Sequence, residues 1–166
     1  MSWEAPPEVV DKHASLREAA MLREFTDVGI RILAESSQQK RVGRGTYAFR
    51  AGDPSDSLWF IAKGTLHLVP RDGGAPLGEV VAGDTLGGFS LLAQGEHLLS
   101  AMALTDVELL QLSASAFEQL KISHPRTALK LTIALAQDLA ERLREAKGPL
   151  REFLVWQISK RQSEAR

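Results

Sequence analysis

Between Arg41 and Leu112 the chain is cut into short runs of β-favouring residues, and glycine marks most of the cuts. Leu58 to Ala62 and Thr65 to Val69 are two such runs, separated only by Lys63-Gly64, which is a hairpin signal. Gly52-Asp53-Pro54, Asp72-Gly73-Gly74 and Gly83-Asp84 mark further turns. Leu77 to Val81, Leu98 to Leu104 and Val107 to Leu112 are further strand candidates. Many short strands at such spacing predict a sandwich or barrel rather than a parallel sheet.

On both sides of this stretch the hydrophobic period becomes helical. From about Pro7 to Glu35, Val9, His13, Leu16 and Ala20 fall on one face, and Pro7 suits a first helical turn. Thr26 or Asp27 is the expected cap of a second short helix that carries Ile30 and Leu33 inward. Ser113 or Ser115 caps a short helix that ends before Pro125, and a long helix follows from Pro125 to about Ala146. Gly148-Pro149 stops it, and an amphipathic segment runs from Leu150 to about Lys160. Helices, then strands, then helices make the expected class α+β.

A length of 166 residues supports one compact domain, and 44% apolar with 25% charged residues is ordinary for a soluble protein. The net charge of -1 gives the whole chain no electrostatic footprint for nucleic acid. With no cysteine, disulfides, thiolate catalysis and zinc–thiolate sites are excluded. No run approaches the roughly 20 apolar residues of a membrane span, and Glu4, Glu8 and Asp11 sit where a signal peptide needs an apolar core. The expected location is the cytoplasm, with membrane association not expected.

The stretch Ala51 to Gly64, AGDPSDSLWFIAKG, resembles the Gly-Asp hairpin signature of cyclic-nucleotide-binding domains, the catabolite-activator-like family. Gly83-Asp84, Leu86-Gly87, Ser90-Leu91-Leu92 and Ala103-Leu104-Thr105-Asp106 continue that signature in order, over roughly Leu22 to Arg142. The resemblance implies an antiparallel β-roll (a double-stranded jelly roll) flanked by N-terminal helices and a long C-terminal helix. It divides the chain into a helical extension at 1–21, the domain at 22–147 and a tail at 148–166. It also implies a ligand pocket at Gly87, Gly88, Phe89, Ser90, Leu91, His97, Leu98 and Leu99, where a short helix cradles the cyclic phosphate on free N–H groups.

Two recognition side chains of the family are absent. Gly88 stands where the family has a ribose-binding glutamate, and His97 where it has a phosphate-binding arginine; Leu98 follows in place of a small hydroxyl residue. His97 reads better as a rim histidine than as a phosphate partner, His67 as a solvent-facing strand residue, and Trp59 as roll packing rather than a base platform. No cofactor is expected, and cyclic AMP and cyclic GMP are disfavoured as ligands.

The long helix is apolar on more than one side. Leu129, Ile133, Ala136, Ala140 and Leu143 form one face, while Leu131, Leu135 and Leu139 form another. A helix packed on one domain needs only one stripe, so a second partner is expected. The resemblance implies a homodimer through the first face; cover by the N-terminal helices or the tail is the alternative. A protein partner is expected through the tail or the long helix. Gly148 to Arg166 is too short for the helix-turn-helix of the family's transcription factors, so no DNA reading by that route is expected.

The expected function is therefore a non-catalytic regulatory or protein-interaction module, with a genuine cyclic-nucleotide or other small-anion sensor of modified pocket as the alternative. A cupin-like enzyme is a remote third. His13, His67, His97 and His124 include no pair one residue apart, so no metal site and no catalytic residue is assigned.

Overall fold

The computed structural model describes residues 9–146 and Gly148. Pro7 and the tail from Leu150 to Lys160 lie outside the described residues. Helix α1 (Lys12–Glu18) starts where the Asp11 carboxylate accepts the Ala14 N–H at 3.1 Å. A 3-10 turn at Ala20–Leu22 follows, then α2 (Asp27–Ser36), capped by Thr26 through the Gly29 N–H. The expected face of Val9, His13, Leu16 and Ala20 does not form. Val9 is 88% exposed and Ala20 is also exposed, while Leu16, Ala19 and Leu22 are buried. The physical reason is phase: α1 is only 7 residues long, and the tighter 3-10 turn rotates the chain so that Ala19 and Leu22 point inward.

Among the described residues ten strands follow, and every pairing is antiparallel. They are β1 (Gln38–Val42), β2 (Tyr47–Phe49), β3 (Pro54–Ser55), β4 (Ser57–Lys63), β5 (Thr65–Pro70), β6 (Gly78–Val81), β7 (Thr85–Leu86), β8 (Gly95–Glu96), β9 (Leu99–Ala103) and β10 (Val107–Ser113). One sheet has the order β1-β10-β4-β7, a second β2-β9-β5-β6, and β3 pairs with β8. The one-turn helix α3 (Phe89–Leu92) interrupts the strands. The roll starts at Gln38, three residues before the expected Arg41, because polar β1 pairs along β10 at the sheet edge and carries no apolar signal.

The hairpin between β4 and β5 turns on Gly64, at φ +90, where a Cβ would stand 2.4 Å from the Asp106 carbonyl oxygen. Ser113 caps α4 (Ala114–Ser123) through the Ala116 N–H, and α5 (Pro125–Glu145) runs for 21 residues.

Packing produces three layers, in which β4 and β10 have both faces buried. Leu58, Phe60, Leu110 and Leu112 face a core shared with Leu16, Ile30, Leu33, Phe117, Leu131 and Leu135 of the helices. Ile61, Val107 and Leu109 alternate to the other side and meet Leu66, Ala101 and Ala103 inside the roll. Each fully buried Leu or Phe contributes about 1.5–3 kcal/mol, so the continuous apolar runs of β4 and β10 hold the layers together. The architecture is an α+β antiparallel roll flanked by helices.

Candidate functional site

The interior of the roll opens at one end into a pocket of about 300 Å³. Phe49 of β2, Leu68 of β5, Leu86 of β7 and Leu99 of β9 form its apolar walls, and the first three also pack against the core inside the roll. Gly87, Phe89 and Ser90 bring α3 to one side of it, and Gly95 to Leu98 form the rim opposite. Six of the eight residues read as the site therefore meet here: Gly87, Phe89, Ser90, His97, Leu98 and Leu99.

Gly88 and Leu91 do not line the pocket. Leu91 turns away into the helical core, where it is 7% exposed. Gly88 faces α5, and a Cβ there would stand 2.7 Å from Leu135 Cδ2. Its neighbour differs: Gly87 holds φ +74, and a Cβ on it would lie 2.4 Å from the Ser57 carbonyl oxygen and 3.5 Å from Trp59 Cδ1. Helix α3 thus sits directly on β4. Its length is one turn, so within four residues it has to hand its chain from roll to helices.

Two backbone donors of this turn have acceptors within it. The Ser90 N–H donates to the Gly87 carbonyl at 2.9 Å, and the Leu91 N–H to the Gly88 carbonyl at 3.4 Å. On the floor, Ser55 and Ser90 are both buried and their hydroxyls bond each other. Ser55, Phe49, Leu68, Leu86, Ala93, Gly95 and Glu96 were not expected in the site. Phe49, Ser55 and Leu68 come from strands distant in sequence, the other four flank expected residues, and alternation alone does not reveal which end of a roll is open.

His97 stacks on Phe49, with ring centroids 3.7 Å apart and planes 9° from parallel. Two backbone bonds hold it: its N–H donates to the Asp53 carbonyl at 2.9 Å, and its carbonyl accepts the Gly52 N–H at 2.8 Å. Burial against the roll lowers its pKa below the ordinary histidine value, only partly opposed by the nearby Asp53 and Asp56 carboxylates. Next to it, Leu98 is 86% exposed. Among the described residues no Lys or Arg lines the pocket, and Glu96 is its one carboxylate. Among the described residues no three His, Asp or Glu side chains gather in a way that holds a metal.

The other two residues singled out in the roll are structural in their contacts. His67 pairs with Glu79 across β5 and β6 at 2.7 Å. Trp59 packs inside the roll, and its indole N–H finds no acceptor among the described residues.

The family model described as "Cyclic nucleotide-binding domain" matches residues 39–124, more than half of the chain. The chain belongs to the cyclic nucleotide-binding domain family. A solved N-terminal domain of a transcriptional regulator from Streptomyces coelicolor is similar to it, with a TM-score of 0.70 and 26% identity. That match covers 81% of this chain and 98% of the other.

Among curated proteins, an uncharacterised NTE family protein of Mycobacterium tuberculosis is 24% identical over 149 residues, covering 90% of this chain and 25% of that protein. Glutaminase 1 of Bradyrhizobium diazoefficiens is 34% identical over 101 residues, covering 60% of this chain and 16% of the enzyme. The chain thus spans a quarter or less of the length of these two relatives.

Proposed function

We propose that this cyclic nucleotide-binding-type domain is a non-catalytic regulatory module that has lost useful affinity for cyclic AMP and cyclic GMP. It acts through protein contact, as a homodimer on α5. The observation that carries the reading is the charge of the pocket: among the described residues no Lys or Arg lines it, Glu96 does, and burial lowers the His97 pKa. A charge-assisted arginine–phosphate contact contributes about 1.5–3 kcal/mol, and a glutamate–ribose contact a similar amount. Without both, affinity falls by about a hundred- to ten-thousand-fold.

The dimer rests on the second face of α5. Leu139, Leu143, Ala136, Leu129, Ala140 and Ile133 share a sector of about 120°, interrupted only by Thr132. Leu129 and Ile133 are 61% and 49% exposed. The small shares of the relatives that this chain matches support a module rather than a catalytic unit. Among the described residues no helix is long and apolar enough to cross a membrane, and the chain has no cysteine; both are compatible with a cytoplasmic setting.

Calorimetry with cyclic AMP and cyclic GMP at pH 7.5 and 5.5 tests the reading. Binding is expected to be near-millimolar or undetectable at pH 7.5. Because the His97 pKa is lowered, acidification to pH 5.5 recovers less than an ordinary histidine allows. Micromolar binding at pH 7.5 overturns the reading.

A further inference from the structure

Among the described residues no Lys or Arg lines the pocket, yet it has not filled in. About 300 Å³ remains open, at the small end of ligand-sized cavities. Its walls are apolar, and at the mouth Leu98 and Phe89 are 86% and 47% exposed. Exposed large apolar side chains beside a cavity mark a surface that gains by being covered. The floor is polar in a specific way. Ser55 and Ser90 together carry two hydroxyl protons and four lone pairs, and their mutual bond uses one of each. One O–H donor and further acceptor sites are left at the base of an apolar cavity. Around the rim the fixed charge is negative: Glu96 lines the pocket, and Asp53 and Asp56 lie close enough to influence His97. Arg71 packs against Gly52 and does not belong to the lining.

We infer that this pocket binds a small uncharged or cationic molecule with an apolar body and a hydrogen-bonding head, such as an aromatic amine or alcohol. The body lies between Phe49, Leu68 and Leu99; the hydroxyl pair or Glu96 meets the head. An anion of the same shape meets the Glu96 carboxylate, with no Lys or Arg among the described residues lining the pocket to offset it. The inference rests on the reading that cyclic nucleotides do not bind here, and it names what takes their place.

Three molecules with one skeleton and three charges provide the test: tyramine, tyrosol and 4-hydroxyphenylacetate, each titrated into the whole chain by calorimetry at pH 7.5. Tyramine and tyrosol are expected to bind with a Kd of about a millimolar or better, as ligands of that size can. The carboxylate is expected to bind at least about tenfold more weakly. Glu96 is exposed, so its replacement spares the core. Glu96→Gln removes the preference for tyramine over tyrosol, and Glu96→Lys shifts preference toward the carboxylate. Equal or tighter binding of the carboxylate by the unaltered chain overturns the inference, as does failure of all three to bind at millimolar concentration. Cyclic AMP titrated alongside separates the two readings. Micromolar cyclic AMP binding defeats the loss of nucleotide recognition, whereas silence from all four compounds defeats only the ligand class inferred here.

Discussion

His97 is the pocket residue whose titration the fold shifts. Where the family resemblance implies a permanent cation, the chain has an imidazole pressed flat against Phe49, and burial lowers its pKa. The consequence for stability has a definite sign. Below the ordinary histidine value of about 6.5 the unfolded chain takes up a proton that the folded chain still refuses. Stability at this residue is therefore complete above that value and falls as pH drops through the folded pKa. His97→Phe keeps an aromatic partner for Phe49 and removes the titration. Urea unfolding at pH 7.5 and 5.5 is expected to show a smaller acid loss for that variant than for the unaltered chain. A ring-proton titration of His97 with its midpoint above the ordinary value would contradict the burial argument.

At the scale of elements, α5 divides its leucines between two tasks. Leu131 and Leu135 are buried at 0% and 2% against the β4–β10 sheet, while Leu129 and Ile133 stand outside. Leu131→Ala is expected to cost about 2–5 kcal/mol in denaturant melts, the usual range for a core leucine. Ile133→Asp is expected to leave the fold intact and turn a dimer into a monomer by light scattering, since it puts a charge into the apolar sector. A monomer before and after that change defeats the dimer.

Periodicity in the sequence revealed both faces of α5, but not the place of Leu139. Steps of four residues overshoot the 3.6-residue turn, so Leu139 has drifted about 80° from Leu131 toward the Leu129 face, and it is 43% exposed. The paired runs of β4, β5 and β10 were equally legible, because they alternate or remain apolar throughout. The two-residue strands β3, β7 and β8 were not, since two residues carry no period. The same limit hid Ser55 and Glu96, which sit on two of those strands and reach the pocket only through the β3–β8 pairing.

At the scale of the whole molecule, the sheet carrying β4 and β10 belongs to both cores, so neither layer can open alone. Leu16 lies at 0% exposure in the core that this sheet shares with α2, α4 and α5, although its segment reads as an extension in the sequence. Leu16→Ala is expected to destabilise the entire domain by about 2–5 kcal/mol. Far-UV dichroism, which follows helices and strands together, should then keep one transition at a lower midpoint. Two separate transitions would show the N-terminal helices to be an independent unit. The indole of Trp59 lies inside the roll, beneath Gly87 and without a hydrogen-bond acceptor among the described residues. Such a ring emits at the blue end of the tryptophan range and responds to any change in the polarity around it. With Trp3 and Trp156 replaced by phenylalanine, the colour of the remaining emission becomes a native optical gauge of whether the roll's open end is wet or filled.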